Sequence, residues 1–148
     1  MEYKIALQKA AAYCAQCERA TSELIEKLQK WDTQNADIEK IIEKLKTEDF
    51  LNEQRYCIFF VKDKFNLNRW GKTKIAYMLS LKKIEKEVIY QALDTIDEEE
   101  YLSVLAELLK NKAKTVKATD KFQKEQKLYR FAISRGFETE AIRKILKN

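Results

Sequence analysis

LNEQRYCIFFVKDKFNLNRWGKTKIAYMLSLKKIEKEVIYQAL, residues 51–93, carries a pattern that recurs in weaker form on both sides of it. Its apolar spacing predicts three helices. The first sets Tyr56, Phe59 and Phe60 on one face, the second follows Gly71 and buries Ile75 and Leu79, and the third buries Val88, Ala92 and Leu93. A basic and aromatic connection, FNLNRWGKTK, joins the first two. From Arg55 to Glu87 there are nine Lys or Arg and three Asp or Glu, a net +6, where the whole chain carries only +5. The positive charge is localised.

The chain has 148 residues, no proline and two glycines. That removes the residues that punctuate tight turns and hairpins, and what remains is rich in strong helix formers. An all-α fold follows. At this length roughly two thirds of the unfolded surface can be buried, enough for one ordinary domain or a short array of small ones. With 36% charged and 45% hydrophobic residues, the chain is too apolar for disorder and too often interrupted by charge for a membrane span. The opening MEYKIALQKAAAYCAQCERA reads as an amphipathic helix rather than a signal peptide, so the protein is expected in the cytoplasm, without a membrane partner.

Working outward, the first helix runs from Tyr3 to Cys17, with Tyr3, Leu7, Ala10, Cys14 and Cys17 inward. Thr21 is expected to cap TSELIEKLQKW, which turns Leu24, Ile25, Leu28 and Trp31 inward, and Asn35 a third helix burying Ile38, Ile41, Ile42 and Leu45. Asn52 caps the central unit. Downstream, Asp97 with Glu100 forms a capping-box-like start to a helix burying Tyr101, Leu105, Leu108 and Leu109. DKFQKEQKLYRFAISRG ends at Gly136 in a left-handed conformation, and the last helix buries Ile142, Ile145 and Leu146. The repeat is arithmetic. Leu24, Leu28, Ile38 and Ile42 answer to Ile75, Leu79, Val88 and Ala92, and again to Leu128, Ala132, Ile142 and Leu146. The expected architecture is an elongated array of three tandem three-helix units, residues 1–50, 51–96 and 97–148.

Catalytic chemistry is scarce. There is no histidine, no glycine-rich phosphate loop and no nucleophile with a base beside it, so no enzyme and no cofactor are expected. Cys14 and Cys17 form a CxxC, but the only further thiol is Cys57, one ligand short of an all-thiolate zinc site. Thiolates plus a carboxylate are the other arrangement open to a metal, but both cysteines are read as small hydrophobes on a helical stripe, free of metal.

The candidate binding residues lie in the central connection, where Arg69, Lys72 and Lys74 flank Trp70, with Arg55, Lys62 and Lys64 as weaker members. Free amides at the following helix start would add attraction for phosphate or carboxylate. The plainer reading is a solvated charged face with Trp70 as a packing residue. A second segment, Lys110 to Arg130, holds eight basic and two acidic residues, again +6.

The chain resembles the bacterial regulatory protein family RecX. The resemblance rests on Asn52-Glu-Gln-Arg55-Tyr56-Cys57, on Gly71, Ile75, Leu79, Ile84, Val88 and Ala92-Leu93 at the family's spacing, and on Arg135-Gly136-Phe137, similar to the turn the family repeats. Asp32 and Lys83 stand where the family's turn has glycine, and Asn52 where it favours an acid. The resemblance implies a non-enzymatic, monomeric modulator that binds the recombinase RecA and its filament on single-stranded DNA. It would inhibit ATP hydrolysis, strand exchange and co-protease activity, with weak direct DNA contact an open addition. Two other readings are a stand-alone DNA-binding protein, in which TKIAYMLSLKK and IEKEVIYQAL act as a helix-turn-helix, and a helical scaffold without nucleic acid.

Overall fold

The structure, a computed structural model, describes residues 1–147; Asn148, the last residue of the third expected unit, lies outside the described residues. Nine helices and no strand occur among the described residues. They are α1 (Tyr3–Gln16), α2 (Thr21–Lys30), α3 (Asn35–Thr47), α4 (Glu53–Asn66), α5 (Lys72–Ser80), α6 (Lys86–Leu93), α7 (Glu98–Ala113), α8 (Lys121–Ser134) and α9 (Thr139–Leu146). They fall in three consecutive groups of three. Packing sorts them differently, into one compact unit of Met1–Phe60 with Leu79–Ile89 and another of Val61–Met78 with the chain from Tyr90 onward. Each of α4, α5 and α6 therefore gives residues to both units.

In the first unit α1, α2 and α3 pack on one another around Leu24, Leu28, Ile38, Ile41 and Leu45. Each such fully buried aliphatic side chain is worth roughly 1.5–3 kcal/mol. The buried stripe of α1 is Ala6, Ala10 and Cys14; Ala10 and Cys14 are inward as expected, and Ala6 takes the buried place expected for Leu7. Tyr3 and Leu7 only flank it. Alanine at successive turns lets the neighbouring helices approach α1 closely, and the larger residues close the groove from the side. Cys17 is exposed, because the helix stops at Gln16 and Cys17 turns to extended backbone. The CxxC thiols thus do not share a buried face. Burial raises the pKa of Cys14 and pushes that of Cys57 up to about 11, which keeps both thiols protonated at neutral pH.

Two caps fall one residue earlier than expected. Thr21 and Asn35 are the first helical residues, with Ala20 and Gln34 at the N-cap positions. The α2 start is held instead by the Glu23 carboxylate, which accepts the Ala20 N–H at 2.8 Å. Asn52 does cap α4, its side-chain oxygen accepting the Arg55 N–H at 3.0 Å, and Asp97 caps α7 by accepting from Glu100 N–H at 3.0 Å. On α4 the buried line is Tyr56, Cys57, Val61 and Phe65, and Phe59 is 54% exposed. Ile89 takes the buried position on α6 expected for Val88, which is half-buried, while Ala92 and Leu93 are buried as expected.

In the second unit α7, α8 and α9 pack pairwise. Tyr101 stands at the centre, its ring 5.8 Å from Phe65 and 5.2 Å from Phe137. Leu105, Leu109, Leu128, Ala132 and Ile142 complete this core.

The helix-ending turns repeat more faithfully than their sequences. Asp32, Lys83 and Gly136, at answering positions after α2, α5 and α8, all have positive φ, at 56°, 60° and 95°. In each the left-handed residue's N–H reaches the carbonyl three residues back, Gln29, Ser80 and Ile133 respectively. The two turns that lack glycine keep the backbone path.

Candidate partner-binding surface

The basic connection between α4 and α5 is positioned by the chain's two glycines, which meet in the second unit. Gly71 N–H donates to the Arg135 carbonyl at 2.8 Å and Thr73 N–H to the Gly136 carbonyl at 2.9 Å. A Cβ at Gly71 would overlap the Gly136 carbonyl and the Phe137 nitrogen, and one at Gly136 would meet Lys74 Cβ and, at 2.8 Å, Lys74 N. Only glycine lets two backbones cross this closely. The Arg135 guanidinium adds a bond to the Asn68 carbonyl at 3.2 Å. The connection is therefore clamped to the turn between α8 and α9.

Tyr101 supplies the second clamp. Its hydroxyl accepts the Lys72 N–H at 2.9 Å and donates to the Glu138 carboxylate. Burial and then the Glu138 contact raise its pKa far above neutrality, so it remains a neutral donor. Together these bonds occupy the amides of Gly71, Lys72 and Thr73. The α5 start is not the free anion site that the sequence invited.

On this frame Arg69, in the left-handed region at φ 56°, closes α4 and turns Trp70 back so that its N–H bonds the Lys64 carbonyl at 3.2 Å. Lys64 and Lys74 then lie with their ammonium groups 5.2 and 4.6 Å from the Trp70 ring centroid. Cation–π contacts of this kind are worth about 0.5–1 kcal/mol when exposed. The structure thus brings Lys64, Trp70 and Lys74 into one half-buried cluster.

The remaining candidates divide. Arg69 and Lys72 border the cluster but face carboxylates, Arg69 at 3.5 Å from Glu107 and Lys72 at 3.6 Å from Glu98. Lys72 also lies 4.7 Å from the Tyr101 ring centroid. Lys62 is exposed beside a shallow cleft that includes Thr95, Asp97 and Glu100. Arg55 belongs to the first unit, where its guanidinium bonds Glu18 at 2.5 Å, Asp49 at 3.1 Å and the Asp49 carbonyl at 2.9 Å. The Glu18 bond leads in raising its pKa. Arg55 is tied into structural ion pairs.

The positioning residues Gly71, Gly136, Tyr101 and Glu138 escaped the sequence reading as a set, because the contacts that join them span many tens of residues. One signal was available: a chain with only two glycines has placed each where a side chain does not fit.

Among the described residues there is no group of three or more Cys, Asp, Glu or His placed to hold a metal ion, and no helix long and apolar enough to cross a membrane.

Three family models match along the chain: RecX first three-helix domain over residues 6–45, RecX second three-helix domain over 52–93 and RecX third three-helix domain over 98–146. The regulatory protein RecX of Clostridium beijerinckii is 34% identical over 131 residues, an alignment covering 87% of this chain and 61% of that protein. That of Clostridium botulinum strain Eklund 17B is 32% identical over 144 residues, covering 88% of this chain and 67% of its own length. The chain thus spans about three fifths to two thirds of these relatives. The crystal structure of RecX from Lactobacillus salivarius superposes with a TM-score of 0.91 at 23% identity, over 98% of this chain and 94% of that one, which establishes the shared fold. With all three family domains matched in order and relatives above 30% identity, this chain belongs to the RecX family of regulatory proteins.

Proposed function

We propose that this protein binds the recombinase RecA and its filament on single-stranded DNA, and that it inhibits ATP hydrolysis, strand exchange and co-protease activity. The observation that carries the reading is membership of the RecX family through all three helical domains. Lys64, Trp70 and Lys74 supply a supporting surface, a basic cluster with an aromatic centre on a backbone clamped at both ends. Such a cluster suits an acidic protein groove. In this reading the protein acts in the cytoplasm as a monomer without catalysis of its own, and its working units are residues 1–50, 51–96 and 97–148.

The stand-alone helix-turn-helix alternative fares worse. Its reading helix, α6, carries Glu87 in the first turn with Glu85 just before it, both exposed, which opposes a phosphate-lined groove.

The test is ATP hydrolysis by RecA on single-stranded DNA, titrated with this protein. The rate should fall, and Lys64→Glu with Lys74→Glu should weaken filament binding about tenfold while leaving helical content unchanged. An unchanged hydrolysis rate at excess protein sinks the reading.

A further inference from the structure

The groove between α2 and α3 has answering places between α5 and α6 and between α8 and α9. Where Ile25 and Ile42 stand, the second group of helices has Ala76 and Ala92 and the third has Tyr129 and Leu146. Where Glu39 and Glu43 stand, the second has Ile89 and Leu93 and the third has Arg143 and Lys147. Ile89, Ala92 and Leu93 are all buried, so on α6 the fold itself covers this line. On α3 the same line lies open, with Glu39 and Glu43 exposed and Ile42 only half-buried.

The open groove is a cleft of about 510 Å³, lined by Ile25, Ile38 and Ile42 with Glu39, Glu43 and Lys46 of α3 beside them. Ile25 and Ile42 pack against the core of the first unit yet stay half-buried. Helix formation does not call for them, since β-branched isoleucine is a poorer helix former than the alanine of the second group. Glu39 and Glu43 stand four residues apart on one helix, a like-charge pair that weakens the helix carrying it. Lysines surround them in sequence at Lys40, Lys44 and Lys46. Lys44 is taken by Glu48 at 3.1 Å, however, and no cation lies within ion-pairing distance of Glu39 or Glu43 among the described residues. Uncovered isoleucines and unpaired neighbouring acids are both a cost to the chain alone. A helix with aliphatic residues on one line and cations beside it relieves both at once.

We propose that the α2–α3 groove is a docking site for a basic amphipathic α-helix of a protein partner, whose aliphatic residues at i, i+3 or i+4 and i+7 cover Ile25, Ile38 and Ile42 while lysine or arginine beside them meets Glu39 and Glu43. Charge complementarity chooses this occupant. A polyanion would face two unpaired carboxylates. A second copy of this chain offers no matching helix, because its most basic exposed helical turns, the start of α8, present only one large apolar residue, Phe122. The site goes beyond the RecA reading: it belongs to a different compact unit from Lys64, Trp70 and Lys74, and its charge has the opposite sign.

The test uses the full chain and two fluorescein-labelled helical peptides of about five turns, sharing one leucine line that is flanked by lysine in one and by serine in the other, with binding read by anisotropy. The lysine peptide should bind saturably, and about tenfold more tightly than the serine peptide, even though the chain itself carries a net charge of +5. Glu39→Lys with Glu43→Lys should lower its affinity by at least about tenfold and flatten its salt dependence. The same change at two other exposed acids, Glu85→Lys with Glu87→Lys, should shift it far less. Ile25→Gln with Ile42→Gln should weaken both peptides by a similar factor. Since Glu39 and Glu43 are exposed, the charge variant decides the matter even where the isoleucine variant does not fold, and circular dichroism checks both. No saturable binding of the lysine peptide, equal affinity for the serine peptide, or equal loss in the Glu85 and Glu87 control overturns the proposal. Sedimentation equilibrium of the chain alone tests the rival occupant: a dimer that the charge variant dissolves would make the partner a second copy, and the proposal is equally overturned. RecA hydrolysis measured on the same preparations keeps failure of this site distinct from failure of the regulatory reading.

Discussion

After α2 and α5 the chain turns through Asp32 and Lys83, and after α8 it makes the answering turn through Gly136. The first two sit at φ 56° and 60°, inside the small left-handed island that an L-residue can occupy at a cost of about 1–2 kcal/mol. Both side chains are exposed, so nothing crowds the added Cβ. Gly136 lies at φ 95°, outside that island, and is buried against Lys74. The difference teaches that the turn itself does not require glycine. What requires it is the backbone that Gly136 receives, the α5 start, crossing at Gly71.

The largest effect should therefore come from closing that crossing. Gly136→Ala and Gly71→Ala should each destabilise the protein by about 2–4 kcal/mol in urea denaturation, because a methyl group would have to displace main-chain atoms rather than a flexible side chain. The double variant should lose clearly less than the sum, since either substitution alone already opens the same contact. Full additivity would mean that the two glycines act separately. The comparison would then reduce to backbone conformation alone.

Much of this molecule was legible locally. Helix count, the buried faces of α2, α3 and α7, the Asn52 and Asp97 caps and the left-handed Gly136 follow from spacing and capping chemistry confined to a few residues. The misses are those in which distant chain intervenes. Phe59 looks like a core residue on α4 beside Tyr56, yet it is exposed while Tyr56 is buried with Cys57, Val61 and Phe65, and Phe65 meets Tyr101 from α7. Cys17 continues a plausible stripe, but the helix has already ended. The α5 start looked open to an anion, and only the fold shows that Arg135, Tyr101 and Gly136 have taken its amides. As for the surface, the sequence singled out the connection around Trp70, and the geometry gathers Lys64, Trp70 and Lys74 while drawing Arg55 into ion pairs.

A smaller effect of opposite sign tests the other half of the comparison. Lys83→Gly should stabilise the protein by about 0.5–1 kcal/mol, since glycine relieves the left-handed strain and no packed side chain is lost. The gain falls short of the full strain because glycine also widens the unfolded ensemble. A loss of stability on urea denaturation would show that the Lys83 side chain contributes a contact worth more than the strain.

Asp32→Gly should gain least, and the reason separates two forces that act together at a helix end. Aspartate tolerates the left-handed region several-fold better than lysine, so relieving it returns less, by roughly 0.5 kcal/mol. Electrostatics works the other way. Asp32 places a negative charge just past the C-terminal end of α2, where the helix dipole disfavours it, whereas Lys83 places a favourable positive charge just past α5. Each such term is worth about 0.3–1 kcal/mol at low salt and is screened as salt rises. Removing Asp32 should thus recover a little dipole energy, and removing Lys83 should forfeit a little. At low salt these terms pull the two gains together, and at high salt only the conformational difference remains. The Met1 ammonium, which donates to the Asp32 carbonyl at 2.7 Å, keeps its acceptor in the glycine variant and does not disturb the comparison. The advantage of Lys83→Gly over Asp32→Gly should accordingly widen between dilute buffer and about 1 M salt. If it narrows, charge at the helix ends is not what distinguishes these turns, and the tolerance of aspartate for left-handed backbone must carry the whole difference.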